Sequence, residues 1–433
     1  MKLTPARRLY ILGVVMLGAL FVWDRYRGYD GTALFLAPIS VAGVVYLLTI
    51  RELSRTPKLA RHVVFICIAL SLVWRVPYLL TPVGTLDDLR RYVWDGRMQR
   101  LGYNPYKVIP ADPALAGLHT PETRELNNPD VPSPYPAGAQ LFFRAVTAIH
   151  ESTFAFKIAF LACDLAIILV LLAELRRMGE PEHWVLAYAW HPLLATEVAG
   201  SSHIDIVGTL LLLLSAAALG RRWRATAAMT FALAVAVKLL PIVLLPLYWR
   251  RVRIRDALLA AIVFALLYLP FLNHGGIPIG SLGTYIQSFR FNDPVFATLE
   301  RVAAPQVVAG LAVLVGLLTA VWLRSKRQTL CSDAFAWPMA ASLLCAPVVY
   351  PWYLVWLLPF LRSASTLPII IWTVSILPTY FVWHLRELGR PWIVPGWILW
   401  VEYGSVALTA AIILLRRITR AGAAACSTDR SGG

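Results

Sequence analysis

Long apolar segments separated by short charged ones recur along the whole of this chain. The apolar runs are about 15 to 24 residues long, roughly the length of a helix that crosses a bilayer. They lack the alternation of apolar and polar residues that is typical of transmembrane β-strands. Because a backbone in contact with lipid must satisfy its own hydrogen bonds, the pattern predicts an all-α, polytopic integral membrane protein.

The runs predict about 14 transmembrane helices in a single transmembrane domain over residues 1–420, followed by a disordered tail over residues 421–433. Lys238 and Pro241 interrupt one run and predict two short helices that meet at a break, which membranes tolerate where the break lines a cavity. The predicted spans lie near residues 10–23, 33–50, 62–81, 154–175, 184–199, 204–220, 225–237, 239–249, 256–272, 303–323, 334–346, 351–361, 365–383 and 393–415.

The charged residues indicate how the chain is oriented. Hydrophobic residues make up 58% of the 433 positions and charged residues 15%, with a net charge of +16. The basic residues cluster at residues 2–8, 51–61, 176–177, 221–224, 250–255, 324–327 and 416–420. These are alternate loops, so the pattern follows the positive-inside rule and does not indicate a nucleic-acid partner. It predicts that the loop over residues 82–153 lies outside the cytoplasm and carries interfacial helices.

The external loop over residues 82–153 contains the densest cluster of charged residues. A helix over residues 87–100 would place Asp88, Arg91, Tyr92 and Asp95 on one face. A carboxylate there, Asp88 or its neighbour Asp87, can act as a general base, and arginines can bind a phosphate leaving group. The alternative is an amphipathic interfacial helix whose charges pair with one another.

A second polar cluster, at residues 197–205, lies at a turn between two predicted spans. Ionisable residues at such a depth are functional candidates, which applies to Glu197 and His203. Asp205 has a second explanation, because Ser202 and Asp205 have the spacing of an approximate capping box.

Isolated cations and aromatic residues complete the candidates. Arg75, Lys238, Arg290 and Arg301 can hold a lipid phosphate by charge-assisted hydrogen bonds, or can snorkel to the lipid headgroups. The segment Tyr350-Pro-Trp-Tyr353 and the tryptophans of the C-terminal quarter favour an aromatic belt over a sugar platform. The tryptophans are Trp383, Trp392, Trp397 and Trp400. The five cysteines form no CxxC pair and signal neither a disulfide framework nor a zinc site.

Several of these segments, in this order, carry a family resemblance. They are Asp-Asp-x-x-Arg-Tyr-x-Trp-Asp-Gly-Arg at 87–97, Gly-Tyr-Asn-Pro-Tyr at 102–106, Pro-Tyr-Pro-x-Gly at 134–138, residues 197–205, Val-Lys-Leu-Leu-Pro at 237–241, and Tyr-Pro-Trp-Tyr at 350–353. From about residue 62 onward, the chain resembles bacterial polyprenol-phosphate-mannose-dependent mannosyltransferases of the glycosyltransferase C superfamily.

The resemblance implies a multi-helix enzyme of the bacterial inner membrane, with its active site on the extracytoplasmic side. An acidic residue of the first external loop would be the base, and the pair Asp87 and Asp88 matches that position. Donor phosphate contacts are expected from Arg90, Arg91, Lys238, Arg75 and Arg290. Substrate contacts are expected from Tyr92, Asp95, Tyr135, Glu197, His203, Asp205, Trp352 and Tyr353. This sequence departs from the family pattern at Ser201 and Ser202, where a small residue and a glycine are expected.

The predicted reaction is an inverting transfer of a hexose, mannose first, from a polyprenyl-phosphate sugar to an extracytoplasmic glycan or glycolipid acceptor. The reaction needs a base and positive charge for the phosphate, so no cofactor and no metal are expected. Asp87, Asp88, Asp205 and His203 offer ligands if a metal takes part. The alternative of a different class is a transporter or flippase of lipid-linked sugars.

Overall fold

All regular elements in the described part of the computed structural model are helical, which confirms the all-α prediction. The model describes residues 3–26, 33–84, 88–272, 278–326, 332–362 and 364–429. The α-helices are α1 Pro5–Tyr26, α2 Leu36–Arg55, α3 Arg61–Leu80, α4 Leu89–Arg100, α5 Ala137–Ile149, α6 Thr153–Met178, α7 Val185–Ala189, α8 Asp205–Gly220, α9 Arg224–Val237, α10 Leu245–Tyr248, α11 Ile254–Leu266, α12 Leu282–Ser288, α13 Pro294–Leu299, α14 Pro305–Lys326, α15 Asp333–Leu344, α16 Leu367–Ser375, α17 Phe381–Glu387 and α18 Gly396–Asp429.

Shorter 3-10 segments and one π-helical segment link these helices. The 3-10 segments are Ala33–Phe35, Pro113–Leu118, Glu182–Trp184, Leu240–Leu244, Leu269–Phe271, Pro351–Phe360, Ala364–Thr366 and Leu377–Tyr380, and the π-helical segment is Leu194–Gly200. Helix α18 includes residues 421–429, whereas residues 430–433 lie outside the described part. The disordered tail therefore stays a prediction.

Eight helices in the described ranges are long and apolar enough to cross a membrane, so this is a multi-pass membrane protein. They are Pro5–Arg25, Leu36–Arg55, Arg61–Leu80, Thr153–Met178, Ile254–Phe271, Pro305–Lys326, Ala364–Glu387 and Gly396–Arg416. A ninth span results if Leu194–Gly200 and Asp205–Gly220, bent by 113° at their junction, are counted as one.

The predicted count of about fourteen spans is not confirmed. Several apolar runs fold into short helices, such as Arg224–Val237 with 14 residues and Pro351–Phe360 with 10. At about 1.5 Å per residue, a 14-residue helix extends roughly 21 Å, which is less than the roughly 30 Å of a hydrocarbon core.

The helix predicted over residues 87–100 is α4, and it lies inside the protein. Tyr92, Val93, Trp94 and Met98 are completely buried. The helix packs so closely on α5 that a Cβ at Gly96 would lie 2.5 Å from the Phe143 carbonyl oxygen. Only glycine fits this approach, which accounts for the glycine of the Asp-Gly-Arg sequence.

The break predicted at Lys238 is confirmed. Helix α9 ends at Val237, and Lys238 has an extended backbone with φ −156° and ψ 141°. A 3-10 segment, Leu240–Leu244, follows with Pro241 in its first turn. Helix α9 packs against both α8 and α5, and α5 packs along α4, so the break lies beside α4, α5 and the start of α8.

Candidate active site

A cavity of about 770 Å³ brings together most of the predicted site residues. Those that line it are Asp88, Arg91, Tyr92, Tyr135, Asp205, Lys238, Trp352 and Tyr353. Its walls come from α4, the loop over residues 127–136, the break after α9, the segment 278–289, the segment 350–353 and α17 with Trp392. Segments far apart in the chain thus share one concave space, which suits a substrate site.

Asp88 is the described carboxylate at the start of the first motif, and Asp87 lies outside the described residues. The Asp88 main-chain oxygen accepts the first hydrogen bonds of α4, from Arg91 N at 2.9 Å and Tyr92 N at 3.1 Å. Its side chain is partly exposed and accepts a hydrogen bond from Asn127 Nδ2 at 2.5 Å. A helix start therefore fixes the position of a carboxylate that faces the cavity.

Two phenols beside Asp88 stay protonated at neutral pH. Burial raises the pKa of Tyr135 well above its usual value, and the negative charge of Asp88 raises it further. Burial and then Asp88 likewise raise the pKa of Tyr92. Both hydroxyls are therefore hydrogen-bond donors in the cavity, because the phenolate form is strongly disfavoured.

Asp95 and Arg91 form a buried network that fixes the loop opposite Asp88. Arg91 Nε donates to Asp95 Oδ1 at 2.9 Å, and its terminal nitrogens donate to the main-chain oxygens of Asn128 and Val131. Asp95 Oδ2 accepts from Ser133 Oγ at 2.5 Å. Arg91 lines the cavity, but its guanidinium already donates hydrogen bonds to Asp95 and to the loop. Asp95 itself does not line the cavity.

Lys238 and Asp205 form an ion pair on another wall. Lys238 Nζ lies 2.6 Å from Asp205 Oδ1 and 3.6 Å from the centre of the Tyr353 ring. Trp356 Nε1 donates to the same carboxylate oxygen at 2.6 Å. These partners explain Asp205. The capping-box alternative does not apply, since Ile204 is the N-cap of α8 and Ser202 Oγ donates to Val198 O and Gly200 O.

A glycine in α8 sets the position of Trp356. A Cβ at Gly208 would collide with the Trp356 indole, so we expect Gly208→Ala to displace the ring and to break its hydrogen bond to Asp205. Overpacking of this kind lowers the free energy of unfolding by about 1–3 kcal/mol. Thermal unfolding in detergent measures the change. The matched control is Gly310→Ala in α14, where no atom lies within 4 Å of a built Cβ, and equal stability of the two variants would contradict the prediction.

Glu197 and His203 lie behind the cavity wall. The His203 ring stacks on Trp352, with centroids 3.8 Å apart and planes 7° apart. His203 Nδ1 lies 3.0 Å from Glu197 Oε2, and Tyr380 OH donates to Glu197 Oε1. Glu197 and His203 are both buried, so the pair holds Trp352 in place and does not itself line the cavity.

Aromatic rings cover much of the remaining wall. Tyr350 stacks on Trp352 at 4.3 Å, and the hydroxyls of Tyr285 and Tyr353 lie 2.5 Å apart. Trp383 and Trp392, which the sequence places with the aromatic belt, also line this cavity. Trp397 and Trp400 do not, and their exposed fractions of 47% and 81% agree with a belt. Aromatic rings with a few polar groups are the usual lining of a small-molecule site.

The other predicted cations do not line the cavity. Arg75 is buried and donates to Asp164 at 2.6 Å, and Arg290 pairs with Glu300 at 2.7 Å. Arg90 lies 3.6 Å from Glu125. A carboxylate of the same chain therefore already balances each of these charges.

Arg386 is a lining residue that the sequence analysis does not single out. It is exposed on α17, and within the described ranges no carboxylate pairs with it. The other basic residues of the lining, Arg91 and Lys238, each pair with an aspartate. It is one of 40 lysine and arginine residues, and none of the motifs of the sequence contains it.

The comparison with protein families decides what kind of site this is. The model of the MptA_B family, described as alpha-(1->6)-mannopyranosyltransferase, N-terminal domain, matches residues 13–252, more than half of the chain. The chain belongs to this family. It is a membrane glycosyltransferase of a mannosyltransferase family, in agreement with the resemblance that the motifs carry. No curated protein and no solved structure matches the chain.

The matched region includes much of the cavity lining. It contains Asp88, Tyr135, Asp205 and Lys238, whereas the aromatic segment 350–353 and Arg386 lie beyond it. Within the described residues, no group of three or more His, Cys, Asp or Glu side chains has an arrangement suited to a metal ion.

Proposed function

We propose that this enzyme transfers mannose from a polyprenyl-phosphate sugar to a hydroxyl of a lipid-linked or cell-envelope glycan. One observation carries the proposal. The Asp88 carboxylate, the Lys238 and Asp205 pair, and Arg386, which pairs with no carboxylate of the described residues, line a single cavity with aromatic walls. A base, cations for a phosphate and rings for a sugar are the groups that this transfer needs.

The proposed chemistry is a single displacement at the anomeric carbon of the donor. The acceptor oxygen forms a bond to that carbon while the bond to the phosphate oxygen breaks, and Asp88 takes the acceptor's hydroxyl proton. Polyprenyl phosphate leaves with the electron pair, and Lys238 and Arg386 stabilise its charge. Single displacement inverts the anomeric centre, so an α-(1→6)-mannoside, the linkage in the family's description, would require a β-linked donor.

Orientation in the membrane supports this donor. The cavity lies at the Lys238 end of α9, and the basic cluster at 221–224 lies at its other end. By the positive-inside rule, this arrangement supports a cavity on the extracytoplasmic side of a bacterial plasma membrane. A lipid-linked donor meets the site there, where cytoplasmic sugar nucleotides are absent.

Cysteine labelling tests this orientation. A cysteine-free variant carrying Ala116→Cys, at an exposed position of the 82–153 loop, should react with an impermeant maleimide in intact cells. The control is Ser54→Cys, which is exposed next to the basic cluster at 51–61 and should react only after permeabilisation. The reverse pattern would contradict the extracytoplasmic site.

Arg386 provides a test of phosphate binding with little risk to the fold, because its side chain is exposed. We expect Arg386→Gln to raise the KM for the donor about tenfold, since hydrogen bonds to charged groups contribute roughly 1.5–3 kcal/mol. Arg390→Gln is the matched control, because Arg390 is exposed nearby and does not line the cavity. An unchanged KM in Arg386→Gln would remove this residue from the donor site.

Donor choice tests the proposal as a whole. Purified enzyme in liposomes is given radiolabelled polyprenyl-phosphate mannose or GDP-mannose, together with a short α-mannoside acceptor. We expect labelled product from the lipid-linked donor alone. Transfer from GDP-mannose alone would overturn the proposed donor, although the chain would remain a member of its family.

A further inference from the structure

A second cavity, distinct from the proposed active site, runs along the sides of the helices. Its volume is about 1290 Å³, and its walls are mostly apolar residues of α9, α10, α11 and α14. Leu245, Trp249 and Ile254 line it and are exposed to 50%, 71% and 77%. It is therefore a groove that opens on the outer surface of the protein, where lipid chains surround a membrane protein.

Arginines gather at one end of this groove. Arg250, in the turn before α11, and Arg324, in the last turn of α14, both line it. Arg251 lies close to them, since burial and then the positive charge of Arg324 lower its pKa. Like charges at close range repel, so this end of the groove favours an anion.

The charge of Arg324 has no internal partner in the part of the chain that the structure describes. Its Nε is shielded from solvent and makes no hydrogen bond to any described residue, and neither Arg324 nor Arg250 forms an ion pair within the described ranges. The nearest acidic residue in sequence to Arg250, Asp256, lies 3.5 Å from Arg255. A partly buried guanidinium with an unused donor is costly unless an anion binds it.

We propose that this groove binds one anionic phospholipid, with the headgroup phosphate on Arg250 and Arg324 and an acyl chain along α9 and α11. Groove residues run from Ala228 to Val235 on α9 and from Ile254 to Phe264 on α11. At about 1.5 Å per residue they extend roughly 10 and 15 Å, which suits an extended hydrocarbon chain. Basic pockets between helices on the cytoplasmic side are known to bind acidic lipid headgroups. This proposal does not depend on the proposed reaction.

Native mass spectrometry of the whole protein in detergent tests the proposal, with phosphatidylglycerol and phosphatidylcholine of matched chains added separately. We expect wild type to retain one phosphatidylglycerol, at least tenfold more tightly than phosphatidylcholine. The double variant Arg250→Gln, Arg324→Gln should lose that preference. Arg253→Gln, an exposed arginine of the same turn that does not line the groove, should keep it.

A second variant tests the apolar part of the site. Ala257 is exposed and lines the groove, so Ala257→Trp fills the space without changing the core and should also abolish retention. Four outcomes would overturn the proposal: no lipid retained by wild type, equal retention of the two lipids, unchanged preference in the double variant, or equal loss in Arg253→Gln. Loss in Ala257→Trp with an intact preference in the double variant would indicate a site for an uncharged chain instead.

Discussion

Asp88→Asn should lower turnover by roughly 100-fold or more and leave donor binding intact, because a general base contributes about 10²- to 10⁴-fold. Asparagine keeps the size of the side chain and the contact with Asn127, while the basic oxygen is lost. The backbone bonds that begin α4 are unaffected, since they use the main-chain oxygen of Asp88. Initial rates with labelled donor, together with a separate donor-binding assay, measure the two quantities.

Two comparisons make the Asp88 result specific. Asp130→Asn removes an exposed carboxylate from the lining of the same cavity and should retain most of the turnover. Asp87→Asn tests the neighbouring carboxylate, which is the alternative base. Normal turnover in Asp88→Asn with an inactive Asp87→Asn would assign the role to Asp87. Normal turnover in both would contradict general-base catalysis by this motif.

Lys238→Met should weaken donor binding by about tenfold or more, because it removes the charge-assisted contact that we propose to the donor phosphate. It also leaves Asp205 without its cation, and that side chain is only 2% exposed. Breaking a buried pair from one side costs about 3–5 kcal/mol, so a loss of folding could imitate a loss of binding.

The double variant Lys238→Met, Asp205→Asn separates these two effects. It removes both charges, and the asparagine oxygen can still accept the hydrogen bond from Trp356. We expect its unfolding temperature to approach that of wild type while donor binding stays weak. Affinity for a short-chain polyprenyl-phosphate sugar gives the readout, and recovery of wild-type affinity in the double variant would exclude Lys238 as a phosphate ligand.

The spacing and type of neighbouring residues predict the parts of the site that depend on a single stretch of the chain. Helix α4 follows from the three- and four-residue spacing of Asp88, Arg91 and Asp95. The break at Lys238 follows from a charge and a proline inside an apolar run. Hydropathy measures the apolar content of a segment and not the length of its helix. It therefore overestimates the number of membrane spans where apolar runs fold into short helices such as Arg224–Val237.

Pairing between distant residues is what the sequence does not reveal. Arg75 and Lys238 are both isolated cations in apolar runs, yet Arg75 pairs with Asp164 in the interior and Lys238 lines the cavity. The two roles depend on contacts 89 and 33 residues away along the chain. Arg386 is one of 40 basic residues, and its exposure beside the cavity becomes visible only in three dimensions.

The configuration of the product tests the central claim most directly. A donor of defined β configuration, polyprenyl-phosphate mannose, is incubated with purified enzyme and a mannoside acceptor, and the new linkage is assigned by NMR. Direct attack by the acceptor hydroxyl, with Asp88 as base, predicts an α-linked product that Asp88→Asn fails to form at a comparable rate. A β-linked product would contradict the account, because retention of configuration requires a covalent intermediate or another double displacement.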